Sequence, residues 1–478
     1  MIRHFAITLF AAFVAVSSLW AQTNESVWSS EIAKLDQMLK DAPDTAQPFV
    51  EQLLKGKNKK DVALQLAVGR SYLNAGMPDK ADTFRQSAQK LDNKNADVYL
   101  LAGDIALAKN DVGTACQAYD QAIYFNPQCV EAYFRYATVY KRSNPQMVIA
   151  KLEELKALVP DNLSVDKELA DVYYSSNRLR QALEIYPRFI HTDVATEEDL
   201  TKYAFSLFFN HNFEQSLEIV NKGLAQNADN MTFRRLALYN YVDLKQYDRA
   251  LEVAAKFFAD CPEAELSSLD YRYHGTLYHQ LKQYDKAVEQ YHKALTADET
   301  KTDLWKSISE AYADGERYGE AIEAYRTYRE SLPEEERSLD VDFRLGKLYY
   351  AEGTSSDTLV VTPEQRREAL RQADSVFAVV AEKAPDSHLG NFWRARTNSA
   401  LDPETADGLA KPYYEAVIET LLKKDDPRYN SVLIECYSYL GYYYLVVENY
   451  DESKNYWNKI LVLDPDHAVA KRALEGIK

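Results

Sequence analysis

The sequence has little glycine or proline for its length. It contains 15 glycines and 15 prolines in 478 residues, and no low-complexity linker interrupts the chain. A globular chain of this length usually folds into two or more domains. An array of units that contact only their neighbours can instead grow as one body. The composition therefore favours a single long helical array.

Cysteines are also few, and their spacing excludes a compact disulfide framework. Cys116 lies at the start of a predicted helix and Cys129 beyond its end. At 1.5 Å of rise per residue the two are roughly 20 Å apart. A disulfide requires Cα atoms within about 7 Å of each other. Because Cys261 and Cys436 are remote from this pair and from one another, we expect four free, mostly buried thiols.

Basic clusters are missing from this acidic chain. It has 73 acidic and 56 basic residues, a net charge of −17, and its one basic run, at 57–60, is short. Nucleic acid binding requires clustered Lys and Arg that neutralise phosphates, so we expect no nucleic-acid partner. An acidic surface favours basic or neutral partners, or serves only to keep the protein in solution.

No catalytic or metal-binding motif is present. His274 and His279 are five residues apart, which places them on different faces of a helix. There is no His-Glu-x-x-His, no Gly-x-Ser-x-Gly and no phosphate-binding glycine-rich loop. The repeats described below also leave no stretch long enough for a catalytic domain. We therefore predict that the protein is not an enzyme and uses no cofactor or metal.

Long apolar runs are absent except at the N terminus. A basic start at Arg3 precedes an apolar run over 5–16, and the segment that follows ends in the small residue Ala21. This order predicts a secretory signal peptide, residues 1–21, because the run is shorter than the ~20 residues of a membrane span. The alternatives are cleavage after Ser18 and an uncleaved anchor. No later segment is apolar enough to span a bilayer.

In place of these features the chain has a repeat with a period close to 34 residues, shown best by residues 96–129. Counted from Ala96 as position 1, the residues at positions 4, 8, 20, 24, 27 and 32 are Tyr99, Gly103, Ala115, Tyr119, Ala122 and Pro127. The residue at position 8 recurs as Gly69, Gly103, Ala137, Ala170, Ala204, Leu238, Gly275, Ser309, Gly346, Ala395 and Gly441. The regularity indicates stacked copies of one helical hairpin, since one hairpin alone cannot bury its apolar faces.

This pattern resembles the tetratricopeptide repeat (TPR), which has aromatic and small residues at these positions and a closing proline. The resemblance implies an all-α fold, a right-handed superhelical solenoid of about eleven helix hairpins over residues 62–467. Residues 22–61 are predicted to form an N-terminal helical cap, and residues 468–478 a C-terminal capping helix. Ala204–Ser216 and Ala395–Ala410 are the weaker matches.

One insertion, at residues 353–372, interrupts the repeats. Its end has the sequence Thr362-Pro363, which predicts that the delayed partner helix starts early, with Thr362 as its N-cap and Pro363 in its first turn. The insertion is either a tolerated surface loop or a functional elaboration of one rim.

The TPR resemblance implies a concave groove lined by positions 2, 5, 9, 12 and 13 of each first helix. Lys141, Lys167 and Asp171 fall on such positions. Family members that bind chaperone tails use Lys at position 5 and Asn at position 9, but here Lys167 precedes Asp171. That chaperone function is therefore not carried over.

Large aromatic residues and arginines cluster near the groove positions of consecutive repeats, and such side chains dominate binding energy when a partner buries them. The predicted partner-binding residues are Phe134, Tyr174, Phe205, Phe208, Phe209, Arg235, Tyr239 and Arg272. The two arginines could hold an acidic or C-terminal group. Alternatively, Phe208 and Phe209 belong to the core, if this repeat is off register by one residue.

The sequence thus predicts an exported, non-catalytic scaffold that binds a peptide segment or partner protein in the groove. The expected location is the periplasm of a Gram-negative bacterium, with attachment to the outer membrane as an option. One alternative is a structural subunit of a cell-envelope assembly or transport complex. Another is an accessory subunit of a separately encoded enzyme. The partner and the oligomeric state remain open at this stage.

Overall fold

The computed structural model describes residues 27–356 and 361–477, and all secondary structure within these ranges is helical. The predicted all-α fold is therefore confirmed for this part of the chain. The predicted signal peptide, residues 1–21, lies outside it. None of the helices in the described ranges has the length and apolarity needed to cross a bilayer.

The chain divides into two compact units, Met1–Leu236 and Ala237–Lys478, and the division falls inside one helix. The described helices of the first unit are α1 (Ser29–Asp41), α2 (Ala46–Leu53), α3 (Val62–Asn74), α4 (Pro78–Leu91), α5 (Ala96–Ala108), α6 (Val112–Phe125), α7 (Val130–Tyr140), α8 (Pro145–Leu158), α9 (Leu163–Ser175), α10 (Leu179–Ile185), α11 (Glu197–Phe209), α12 (Phe213–Gln226) and the first part of α13 (Met231–Asp243). The second unit continues α13 and contains α14 (Tyr247–Asp260), α15 (Ser268–Gln280), α16 (Tyr284–Ala297), α17 (Leu304–Asp314), α18 (Tyr318–Ser331), α19 (Leu339–Gly353), α20 (Pro363–Lys383), α21 (Leu389–Leu401), α22 (Lys411–Lys424), α23 (Asn430–Val446), α24 (Tyr450–Leu463) and α25 (Ala468–Gly476).

Within a hairpin, the two helices approach closely where a glycine of the first helix faces an aromatic ring of the second. A Cβ placed on Gly103 would lie 2.3 Å from the ring of Tyr119. The Tyr119 hydroxyl also donates a hydrogen bond of 2.8 Å to Asp104, so the ring is fixed at both ends. The same contact joins Gly275 to Tyr291, Gly346 to Phe377 and Gly441 to Trp457.

In three hairpins a serine stands at one of the two positions where the helices meet, the first-helix position for Ser309 and the second-helix position for Ser216 and Ser453, and adds a hydrogen bond between the helices. The Ser216 hydroxyl donates to the carbonyl oxygen of Ala204 at 2.9 Å. The other two pairs are Ser309 with Ala321 and Ser453 with Gly441, both at 2.7 Å. The hairpin of Ala204 and Ser216, a weaker match in the sequence, is therefore packed like the others.

The turn inside most hairpins has one residue in the left-handed region, seven positions after the small residue. These residues are Gly76, Asn110, Asn177, His211, Lys245, Lys282, Glu316 and Glu448, with φ between 57° and 73°. The next residue donates its backbone N–H back into the first helix, as Asp111 does to the Ala106 carbonyl at 2.9 Å. This bond satisfies a carbonyl group that the helix end leaves without a partner.

The insertion ends as the sequence predicts. Thr362 is the N-cap of α20, and Pro363 occupies its first turn. The Thr362 hydroxyl accepts from the backbone N–H of Gln365, whose side chain accepts from the Thr362 N–H. Gly353, the first residue of the insertion, and Val361, which lies within it, are both buried.

The second weak match, Ala395–Ala410, differs from a regular repeat in its loop. The Asp402 carboxylate accepts hydrogen bonds from the backbone N–H groups of Ala406 at 3.0 Å and Asp407 at 3.1 Å. This arrangement fixes the residues before α22, so Ala410 precedes that helix instead of lying inside it. Ala410 is nevertheless fully buried, as its place in the repeat predicts.

All four cysteines are free. Cys116, Cys261 and Cys436 are buried and Cys129 is partly buried, in agreement with the expectation from the sequence. Burial raises the pKa of the Cys436 thiol well above its usual range. A buried thiol that stays protonated is a poor nucleophile.

Candidate functional site

Four of the predicted aromatic residues in the first unit are at least partly accessible. Phe134, Tyr174 and Phe205 are half-buried, while Phe209 is 55% exposed. Phe205 and Phe209 lie one turn apart on α11 and stack with their ring centroids 6.1 Å apart. We call them the Phe205–Phe209 pair. The pair therefore offers a partly accessible aromatic surface.

Two other predicted residues are in the core. Phe208 is 6% exposed and packs on Phe213 with ring centroids 5.7 Å apart. In the second unit, Tyr239 is 1% exposed and stacks on Tyr273 at 4.2 Å, and its hydroxyl donates to Asp270 at 2.7 Å. Their packing places these two side chains inside the protein instead of on the predicted surface.

The two predicted arginines fall in different units. Arg235 is half-buried in the first unit. Arg272 is exposed in the second unit, and its guanidinium group lies 3.0 Å from the Asp303 carboxylate. The predicted set is therefore divided between the units, and the following description concerns the first unit alone.

The first unit contains an open cavity of about 640 Å³ at the first helices of three consecutive hairpins, α7, α9 and α11. Its basic lining residues are Lys141, Arg142, Lys167 and Lys202. Its acidic lining residues are Glu168, Asp171, Glu198 and Asp199. Sequence reasoning had placed Lys141, Lys167 and Asp171 in the groove but missed the others. The signal that could have found them is charge at positions 2, 3, 6 and 13 of successive first helices.

Asp171 is held between two lysines from the neighbouring hairpins. Lys141 Nζ lies 3.1 Å from Asp171 Oδ2, and Lys202 contacts the other carboxylate oxygen. Burial opposes ionisation, yet the hydrogen bonds from Lys202 and Lys141 hold the pKa of Asp171 below its usual value. Lys202 also lies 2.6 Å from Glu198. These contacts join the three first helices at the cavity.

Lys167 is fixed by a different set of acceptors. Its Nζ lies 2.9 Å from Asp199 Oδ2 and donates to the Val194 carbonyl oxygen at 3.0 Å. Asp199 also accepts from the N-cap residue Thr196, through the backbone N–H at 2.7 Å and the hydroxyl at 2.6 Å. The position of Lys167 is thus coupled to the start of α11.

Glu168 differs from the other acidic residues of the cavity. The nearest cation is Lys141 Nζ at 4.0 Å, beyond hydrogen-bond distance. No residue of the described part of the chain donates a hydrogen bond to its carboxylate, which retains 24% exposure. Burial raises the pKa of Glu168 above its usual value. The carboxylate is therefore three-quarters removed from solvent and lacks a hydrogen-bond donor, while the positive charges of Lys141, Lys202 and Lys167 lie near it.

The cavity and the Phe205–Phe209 pair share one face of α11. Lys202, Phe205 and Phe209 are spaced i, i+3 and i+7, so they follow one another along the helix. Lys202 Nζ also lies 5.9 Å from the ring centroid of Tyr174. Burial raises the pKa of this tyrosine. The result is a continuous surface with a charged end and an aromatic end.

The second unit has a cavity of about 680 Å³ between α18, α19 and α20. Arg326 and Arg329 line it together with apolar side chains such as Leu345 and Val379. Arg329 is paired with Asp342 at 2.7 Å. The second cavity contains none of the predicted site residues.

Two segments of the chain match family models for the tetratricopeptide repeat, residues 96–129 and residues 274–336. The chain contains tetratricopeptide repeats. The TPR pattern predicted for residues 96–129 is thereby confirmed. None of the curated proteins matches the chain significantly.

Several solved TPR structures resemble this chain. The C-terminal part of a TPR repeat-containing protein from Cytophaga hutchinsonii is 29% identical, covers 57% of this chain and 99% of its own, and has a TM-score of 0.47. A TPR protein from Parabacteroides merdae is 13% identical over 52% of this chain and 98% of its own, with a TM-score of 0.33. YrrB, described as a TPR protein with an unusual peptide-binding site, is 17% identical over 38% of this chain and 94% of its own, with a TM-score of 0.32. The two matched segments, and not these likenesses, identify the repeats.

Proposed function

We propose that this TPR protein is a scaffold without catalytic activity that binds a peptide segment of a partner protein on its first unit. TPR repeats generally serve in protein–protein interaction. The observation that carries the proposal is the partly exposed Phe205–Phe209 pair beside a charged cavity. Aromatic side chains provide much of the binding energy when a partner buries them, and neighbouring charges set orientation.

The test compares neighbouring phenylalanines that differ in burial. In the double variant Phe205→Ala/Phe209→Ala, partner capture by cross-linking in the native cell should fall at least tenfold, with little change in melting temperature. Phe208→Ala should instead lower the free energy of unfolding by ~3–5 kcal/mol, because Phe208 is buried. Tyr124→Ala is the matched control, since Tyr124 is 79% exposed but does not line the cavity.

Unchanged capture by the double variant would refute the proposed surface. A loss of melting temperature as large as that of Phe208→Ala would show that the pair contributes to the core. Equal losses of capture in the double variant and in Tyr124→Ala would indicate that general surface apolarity, not this site, recruits the partner.

We also propose that the protein is exported and acts in the periplasm. The support is the order of a basic start, an apolar run over 5–16 and a segment that ends in the small residue Ala21. Fractionation of the native cell, with mass spectrometry of the N terminus, should find the protein in the periplasm without its first 18–21 residues. Recovery of intact Met1 in the cytosol would exclude export.

A further inference from the structure

We propose that the bound peptide carries a basic side chain that enters the first unit's cavity at Glu168. We further propose that an apolar side chain two or three residues away packs on the Phe205–Phe209 pair. This inference rests on the proposed function and specifies the chemistry of its ligand.

Each lysine of the cavity is already paired with an acidic residue of the chain, so an acidic ligand would have to displace that residue. Lys141 is paired with Asp171 at 3.1 Å, Lys167 with Asp199 at 2.9 Å, and Lys202 with Glu198 at 2.6 Å. An incoming carboxylate would have to compete with each of these internal partners. Arg142 is exposed at the rim, where water already solvates its charge, so a ligand carboxylate gains little there.

Glu168 has a carboxylate in the cavity that receives no hydrogen bond from the described part of the chain. Its carboxylate is three-quarters removed from solvent, and Lys141 is 4.0 Å away. Removing a charge from water without hydrogen bonds is unfavourable. A guanidinium or ammonium group from a ligand would supply charge-assisted hydrogen bonds and so remove this cost. The cavity therefore favours a basic side chain over an acidic one.

Distances along α11, measured from the cavity residue Lys202, set the scale for the spacing in the peptide. Phe205 and Phe209 follow Lys202 by about 5 and 10 Å along α11, at 1.5 Å per residue. In an extended peptide, side chains on one side repeat every two residues, or about 7 Å. A basic and an apolar residue separated by two or three positions span that distance. The net charge of −17 also attracts basic peptides at long range.

The experiment uses the full chain and four fluorescein-labelled nonapeptides with Gly-Ser backgrounds. The first has Arg at position 4, Phe at position 6 and an amidated C terminus. The second replaces Arg with Glu, the third replaces Phe with Ala, and the fourth is the second peptide with a free C terminus. Fluorescence anisotropy should show the tightest binding for the first peptide, with at least tenfold weaker binding for the other three.

Glu168→Gln should weaken binding of the first peptide at least tenfold and leave the melting temperature unchanged or higher. Glu214→Gln is the matched control, because it removes the same charge from an exposed position outside the cavity. Phe209→Ala should weaken the first peptide but leave the third unaffected. If Glu168→Gln and Glu214→Gln weaken binding equally, the attraction is general and the inference is wrong.

Failure of this inference can be distinguished from failure of the proposed function. Tighter binding of either Glu peptide would overturn the basic-ligand assignment and leave peptide binding intact. If none of the peptides binds while partner capture still depends on the Phe205–Phe209 pair, the assignment falls and the proposed function stands. If capture is also independent of the pair, both are wrong.

Discussion

At the residue scale, the glycine that faces an aromatic ring sets the distance between the helices of a hairpin. In Gly103→Ala, the new Cβ would lie 2.3 Å from the Tyr119 ring. Overpacking costs ~1–3 kcal/mol and outweighs the ~1 kcal/mol by which alanine favours a helix. We therefore expect a lower free energy of unfolding in urea. Gly113→Ala, in the first turn of α6, meets no atom closer than 3.8 Å and should be neutral or stabilising. Equal effects of the two changes would contradict this explanation.

A buried histidine in the second unit predicts a loss of stability in acid. His274 stacks between Phe258 and Tyr278, at 4.2 and 4.5 Å, and burial lowers its pKa to about 4. The unfolded chain, with a pKa near 6.5, binds more protons between pH 4 and 6.5, so stability rises with pH across this window. Acidification from pH 7 to pH 4 should therefore cost roughly 1–3 kcal/mol at this residue.

The His274→Leu variant tests this titration. It keeps an apolar side chain between the two rings and removes the ionisable group, so its melting temperature should fall less steeply below pH 6.5. His211→Leu is the control, because His211 is exposed. A pH profile of His274→Leu parallel to that of the unchanged protein would assign the acid sensitivity to other groups.

Individual binding residues could be predicted only in part. Position 12 of the fifth hairpin's first helix is Phe208 and position 13 is Phe209, and only the structure shows that the first is buried and the second exposed. Both are phenylalanine, so composition cannot distinguish them. Lys202 and Glu168 line the cavity from position 6, which is not among the groove positions that the TPR resemblance implies. Their roles depend on how three hairpins stack.

At the scale of the elements, the left-handed turn residue offers a stabilising substitution. Glu316 is exposed, has φ of 59° and follows α17. The left-handed conformation costs a residue with a Cβ ~1–2 kcal/mol, and glycine adopts it without this cost. Glycine also makes the unfolded chain more flexible, which offsets part of the gain. Glu316→Gly should therefore raise the free energy of unfolding by ~0.5–1 kcal/mol.

The same substitution inside a helix should have the opposite sign. Glu323 is exposed in the middle of α18, and Glu323→Gly should lower the free energy of unfolding by ~1 kcal/mol. Thermal unfolding of both variants provides the comparison. Destabilisation by Glu316→Gly would show that the glutamate side chain makes a contact that outweighs the backbone effect.

The helices themselves were largely predictable, because small residues recur at the period of the repeat. The turn conformation was not, since the left-handed position is occupied by Asn110 in one hairpin, Lys245 in another and Glu316 in a third. Only glycine and asparagine favour that region by their own chemistry, so elsewhere the packing of the flanking helices imposes it. The hairpin of Ala204 and Ser216 looked like a weak match in the sequence because serine stands where the repeat usually has alanine. In the structure the Ser216 hydroxyl donates a hydrogen bond to the Ala204 carbonyl, which joins the two helices there.

At the scale of the whole molecule, the C-terminal helix α25 covers an end of the second unit. Ala470 and Ile477 are buried in the same cluster as Trp457 and Ile460. Removal of residues 468–478 should expose Trp457 and Ile460, because α25 supplies Ala470 and Ile477 to the cluster that buries them. We expect a lower melting temperature and a tendency to associate, measured by Trp fluorescence and size-exclusion chromatography.

The control for this truncation is Val469→Ser. Val469 is 51% exposed, so its replacement should leave both measurements unchanged. A truncated protein that melts and elutes like the full chain would show that α25 is dispensable as a cap. The helix was expected from the residues after Pro465. The division into two units was not expected, because the repeat of small residues continues across it from Ala204 through Leu238 to Gly275.

The packing of Trp457 on Gly441 should make its fluorescence distinguishable from that of Trp28. The indole of Trp457 is 4% exposed in the last hairpin, while Trp28, near the start of the described chain, is half-buried and donates to Asp61 at 3.0 Å. Variants that keep one of these tryptophans and replace the others with phenylalanine would emit from opposite ends of the sequence, with the Trp457 emission at shorter wavelength. The order in which the two ends lose structure can then be timed from native fluorescence, without an attached dye.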